Sequence, residues 1–123
     1  MRSYEKSATD KLTRPIHERL THDTSNCSIA RTLEIVGEKW TILILREASC
    51  GVTRFADFQK ILGCPRNLLA DRLRMLAEHG IFALQAYKEP GDRTRHECVF
   101  TEKGERLVPA IIGLLQWGGR VSC

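Results

Sequence analysis

Asn67, Ala70, Asp71 and Arg74 recur at the spacing that gathers side chains on one face of an α-helix, with Arg66 at its N-terminal end. These residue types suit hydrogen bonding to base edges. Asn pairs bidentately with adenine and Arg with guanine, each worth about 1–3 kcal/mol of discrimination. Ala70 lets a helix approach a groove closely. Asp71 can accept from cytosine or orient a neighbouring Arg, and it repels a misplaced phosphate. The opposite face carries Leu69, Leu73 and Leu76, the stripe that buries such a helix against its neighbours. Arg72, at the edge of that stripe, suits a phosphate or an intramolecular acid better than a base.

Other cations flank this helix in sequence. Thr53 and Arg54 stand at the start of the preceding helical segment, where a helix N-terminus meets phosphate. Lys88, Arg93 and Arg95 cluster further on, placed for backbone phosphates or the minor groove.

The elements that must position these groups follow from periodicity and breakers. Ser25–Ser28 is a cluster of N-cap residue types. A first helix then runs to Val36, with Ile29, Leu33 and Val36 on one face, and Gly37 ends it. A second, about Glu38–Ser49, is apolar on most sides and therefore buried, and Gly51 closes it. Phe55, Phe58, Ile61 and Leu62 stripe a third. Gly63-Cys64-Pro65 turns the chain, and a fourth helix extends from about Arg66 to His79, ending at Gly80. A short helix, a tight turn and a second amphipathic helix form a helix-turn-helix. Ile81–Tyr87 and Arg95–Thr101 then read as strands around a Pro90-Gly91-Asp92 turn. Thr101 caps a last helix, which Pro109 must kink or start. The expected fold is mainly α with a small β-hairpin: a winged helix-turn-helix with additional N- and C-terminal dimerisation helices. Residues 1–25 form an extension with one helical turn near Ile16–Leu20, and 26–123 the domain.

Composition narrows the function class. The chain has 123 residues, 42% hydrophobic and 28% charged, as in an ordinary globular domain. The net charge of +4 is spread along it: the first 26 residues hold five Lys/Arg against four Asp/Glu, so there is no basic arm. No apolar stretch reaches the ~20 residues of a membrane span, and the N-terminus has no secretory signal pattern, so a cytoplasmic location and no membrane partner are expected. Five widely spaced cysteines, an odd number, argue against a disulfide framework. No Cys/His pair has zinc-ligand spacing, and no phosphate loop or nucleophile-base motif is present, so neither metal, cofactor nor catalysis is expected.

Cys27, then Leu33-Glu34-Ile35-Val36-Gly37-Glu38-Lys39-Trp40-Thr41, Arg54-Phe55-Ala56-Asp57-Phe58, Asn67–Leu73, Glu78-His79-Gly80, Thr101-Glu102-Lys103-Gly104 and Gln116-Trp117-Gly118 resemble the HxlR-type winged-helix regulators in one order over residues 27–119. Two positions depart from the family pattern. Glu38 stands where a second glycine is usual, and Gly91–Glu97 is longer and more polar than the usual wing turn. The resemblance implies a bacterial repressor, or alternatively an activator, that dimerises through its first and last helices on a palindromic operator.

Dimerisation also follows from the residues. The last helix is apolar beyond the needs of one small core, and the tryptophans add large surfaces. Leu33, Trp40, Ile111, Leu114, Leu115 and Trp117 are the candidates, and paired reading helices would lie about 34 Å apart. Cys27 precedes the first helix, where the helix dipole lowers a thiol pKa and Arg31 adds to the effect. In several regulators of the resembled family a cysteine here senses oxidants or electrophiles, which makes Cys27 the redox-sensing candidate. The alternatives are a small ligand in a dimer cleft near Trp40, Phe58 and Trp117, or a winged helix that binds protein instead of DNA.

Overall fold

A computed structural model of the protein describes residues 16–21 and 27–119. The chain divides into two units, Met1–Arg31 and Thr32–Cys123. In the first, α1 (Ile16–Thr21) is a short exposed helix at the place of the expected helical turn. The rest of the anticipated extension, and Ser25 and Asn26 of the cap cluster, lie outside the described residues. Helix α2 (Ser28–Val36) begins after Cys27, whose carbonyl accepts from Arg31 N at 2.9 Å.

The larger unit continues with α3 (Lys39–Ser49), α4 (Phe55–Leu62) and α5 (Arg66–Glu78). Strands β1 (Phe82–Tyr87) and β2 (Arg95–Phe100) pair antiparallel with Phe82 opposite Phe100 and Tyr87 opposite Arg95. After them come α6 (Glu102–Glu105) and α7 (Val108–Gly118). Mostly helical, with one two-stranded hairpin, it is a winged helix-turn-helix. Of the two roles expected for Pro109, it starts the main helix: it lies in the first turn of α7, where its missing N–H has no bond to lose.

One core joins these elements. Ile44 and Leu45 of α3, Phe58 of α4 and Leu69 and Leu76 of α5 are fully buried, with Leu73, Phe82, Cys98 and Ile111 nearly so. Each large apolar side chain contributes about 1.5–3 kcal/mol by leaving water. The helix-turn-helix bend is made by Gly63, left-handed at φ 64°, whose N–H donates to Gln59 O at 2.9 Å and ends α4.

The hairpin is fastened at its base by a knot around Ile81. Thr101 caps α6, accepting from Gly104 N at 3.0 Å, and its own N–H donates to Ile81 O at 3.1 Å. Its hydroxyl donates to Gly80 O. Gly104 packs so closely that a Cβ there would lie 2.1 Å from Ile81 O and 2.7 Å from the Phe100 ring. On the far edge, Cys98 N donates to Thr53 O at 2.8 Å. Gly104→Ala should therefore cost about 1–3 kcal/mol as a lowered urea midpoint at unchanged slope. Gly113→Ala, on α7 with open space around it, should leave the midpoint unchanged or raise it.

Candidate nucleic-acid interface

Helix α5 presents two faces. Leu69, Leu73 and Leu76 are buried as their spacing requires, and Arg66, Asn67, Ala70 and Arg74 are exposed, with Asp71 half-buried between them. The N-cap is Pro65, whose side chain makes no capping bond, so none of the first N–H groups of α5 is satisfied by its cap. Arg66 is held above the Phe55 ring at 5.1 Å, so its guanidinium stays at this helix end.

The hairpin brings a second set of cations to the same place. Arg66, Arg93, Arg95 and His96, with Gln59 and Tyr87, line a notch of about 590 Å³ between α4, the start of α5 and the hairpin. Among the described residues, no carboxylate lines it. Lys88 is exposed beyond it, next to the turn in which Asp92 N donates to Glu89 O at 3.0 Å. Below, Ala70 and Ala77 of α5 face Leu84 and Cys98 across a cleft of about 480 Å³. Leu84, opposite Cys98 in the base half of the hairpin, borders this cleft and is 61% exposed.

Arg54 has a different setting from the one its sequence position suggests. Its Nη1 pairs with Glu89 at 2.7 Å, its Nε lies 3.6 Å from Glu97, and its guanidinium stacks on Tyr87 at 4.0 Å. The Glu89 bond, chiefly, holds its pKa above the ordinary arginine value. Thr53 Oγ donates to Glu97 at 2.8 Å. Together Thr53 and Arg54 strut the hairpin to α4. The sequence offered no signal for this, because Glu89 and Glu97 lie 35 and more residues away.

Arg72 serves intramolecular acids. Its Nε donates to Glu38 at 3.0 Å and its Nη1 to Asp71 at 2.6 Å, and Asp71 also accepts from Arg74 Nη2 at 2.6 Å. Glu38, the N-cap of α3, accepts from Thr41 N at 3.0 Å. Burial opposes its ionisation, but the N–H groups of Thr41 and Trp40, Arg72 and the Thr41 hydroxyl together hold its carboxyl below the ordinary range.

The other candidates separate. Leu33, Leu114 and Trp117 are exposed, Trp117 to 90%, whereas Ile111 belongs to the core and Trp40 packs against it. Phe58 is fully buried and lines no ligand cleft. Cys27 is free and exposed. The N–H groups of Ala30 and Ile29 lower its thiol pKa, and the cation that assists is Arg19 rather than Arg31. Cys64 and Cys98 are free and buried, and burial raises both thiols. The cysteine-count argument against disulfides is corrected at Cys50, which is disulfide-bonded; an exposed thiol at a helix end pairs without disturbing a core.

An HxlR-like helix-turn-helix family matches residues 35–122. An uncharacterized HTH-type transcriptional regulator of Mycobacterium tuberculosis (strain ATCC 25618 / H37Rv) is 50% identical over 99 residues, 80% of this chain. The chain spans only 61% of that relative's length. The uncharacterized HTH-type regulator YdeP of Bacillus subtilis is 30% identical over 78% of this chain and 74% of its own. Among solved structures, the candidate transcription factor PA1607 superposes with a TM-score of 0.68 at 38% identity, over 85% of this chain and 68% of its own. The redox regulator HypR in its oxidized form superposes with a TM-score of 0.67 at 28% identity, over 75% and 94%.

The thiols should rank by these environments. Brief iodoacetamide treatment of native protein near pH 7, read by peptide mass spectrometry, should label Cys27 well ahead of Cys64 and Cys98. Equal labelling of all three would contradict the assignment.

Proposed function

Since the chain belongs to the HxlR-like helix-turn-helix family of transcriptional regulators, we propose that it reads a specific DNA sequence as a homodimer on a twofold-symmetric operator in the cytoplasm. The observation that carries this reading is the notch lined by Arg66, Arg93, Arg95 and His96, with no acid among its described lining residues, beside the exposed face of α5. A duplex strand laid in the notch places a phosphate among these cations and near the first N–H groups of α5. The same docking turns Asn67, Ala70, Asp71 and Arg74 toward base edges in the major groove. Lys88 and the hairpin tip follow the flanking backbone. Arg54, already engaged by Glu89 and Glu97, holds the hairpin in register and leaves phosphate to its neighbours.

The dimer rests on exposed apolar side chains. Leu33, Ile112, Leu114 and Trp117 stand open to solvent, and Ile42, Leu43 and Leu115 line a groove between α3 and α7. The apolar surface from Leu114 into the groove of Ile42, Leu43 and Leu115 suits an interface, and a twofold pair would match the two half-sites of a palindrome. Repression is the primary reading, because occupying a promoter asks for no further surface, while activation asks for a contact with polymerase. Cys27 is the proposed input: it is exposed, free and acidified, and HypR, a redox regulator, has a similar fold. Oxidation or alkylation there would alter the dimer and its hold on DNA.

Selection from a random duplex library with reduced protein should yield a twofold-symmetric site bound about 10³-fold or more tighter than scrambled DNA, with affinity falling steeply with salt. Arg66→Ala should weaken binding to all sequences and flatten the salt dependence by about one phosphate's worth, whereas Asn67→Ala should relax preference at one position per half-site. Weak binding indifferent to sequence, in reduced and oxidised protein alike, would overturn the reading. Separately, Leu114→Glu with Trp117→Glu should halve the mass seen by light scattering. The thermal midpoint measured at a concentration where wild type is monomeric should barely move. A wild-type protein that is monomeric at tens of micromolar would remove the dimer.

A further inference from the structure

We infer that Glu38 and Arg72 are positioning residues for base reading: through them the N-terminus of α3 fixes the orientation of Asp71 and Arg74 on α5. This rests on the DNA-reading role of α5. The links are explicit. One oxygen of Glu38 accepts from Thr41 N at 3.0 Å, Thr41 Oγ at 3.2 Å and Arg72 Nε at 3.0 Å. Arg72 passes to Asp71 Oδ2 at 2.6 Å, and Asp71 Oδ1 accepts from Arg74 Nη2 at 2.6 Å. One end of the chain is Thr41, fully buried in the core; the other is the largely exposed guanidinium of Arg74.

Each member limits the next. The Arg72 guanidinium is a rigid plane, and with two nitrogens on two carboxylates it cannot turn to follow one without leaving the other. Asp71 has both oxygens engaged, so its carboxylate plane is set, and Arg74 is drawn back along the helix toward residue 71. The choice of Glu at position 38 fits this role better than capping. Ser, Thr, Asp and Asn are the preferred N-caps, and any of them would satisfy Thr41 N. Only a longer acid also reaches Arg72, 34 residues on. Anchoring removes rotamers that Asp71 and Arg74 would otherwise lose on meeting DNA, and it excludes orientations in which they would accept a different base pair.

The test separates reach from capping. Wild type, Glu38→Ser, Asp71→Ala and the double variant are measured against the selected operator, its single-base-pair variants and scrambled DNA, with thermal midpoints alongside. Glu38→Ser retains the cap, so its midpoint should stay near wild type. It should lose about 3- to 10-fold of discrimination at the base pair facing Asp71 and Arg74, with affinity for scrambled DNA unchanged. Asp71→Ala should lose discrimination at the same position, and the double variant should be no worse than Asp71→Ala alone. Glu38→Gln, which keeps the length and an acceptor oxygen, should recover part of the loss. If Glu38→Ser does not fold, Arg72→Lys, which reaches only one carboxylate, should show the same position-specific loss. Unchanged discrimination, a uniform loss extending to scrambled DNA, or additive effects in the double variant would each overturn the inference. A wild type that selects no sequence would overturn the DNA-reading role itself, and this one with it.

Discussion

The position of the hairpin relative to α5 is decided by two fastenings, and the candidate interface exists only because both hold. At the base, Thr101 ties Gly80, Ile81 and Gly104 into one knot, with no room for a side chain at residue 104. On the outer side, Cys98 is bonded to Thr53, and Arg54 reaches Glu89 and Glu97. Surface ion pairs of this kind are worth little singly. Three elements bridged by one guanidinium, which also stacks on Tyr87, still leave the hairpin few ways to swing. With both in place, the outer end of the hairpin stands beside α4 and the start of α5, and the notch lies between them.

Charge in this region is apportioned rather than merely positive. Arg54 and Arg72 are engaged by acids within the fold, Arg74 is partly engaged, and Arg66, Arg93 and Arg95 line a space with no acid among its described lining residues. A net charge of +4 says nothing of this division. The distinction lies in which arginine has a carboxylate within reach, and that is set by tertiary structure.

Much of the fold was legible because it rests on local periodicity. Leu69, Leu73 and Leu76 repeat at helical spacing and are buried, and the strands were read to within a residue at either end. Gly63-Cys64-Pro65 announced its turn, and Thr101 its cap. What stayed hidden depends on partners distant in sequence. Arg54 read as a phosphate ligand because it begins a helix, while its carboxylates lie on the hairpin. Glu38 stood out as a departure from a familial glycine, but its bond to Arg72 needs α3 and α5 side by side. Ile111 read as an interface residue since burial in one core and burial between two subunits leave the same apolar signature. The exposure of Trp117 and the burial of Phe58 likewise could not be told apart from residue type.

Asp71 sits among the groups proposed to read bases, and its consequence is kinetic. Its carboxylate is already paired with Arg72 and Arg74, so in the proposed complex it would hold back positive charge that a non-cognate phosphate could otherwise draw on. If α5 reads bases as proposed, this carboxylate would shorten the dwell time on non-cognate duplex more than it weakens the final complex. A small regulator with modest net charge would then spend its search in brief, frequent encounters, and the fraction free to find a rare site would depend on that one carboxylate as much as on the arginines around it.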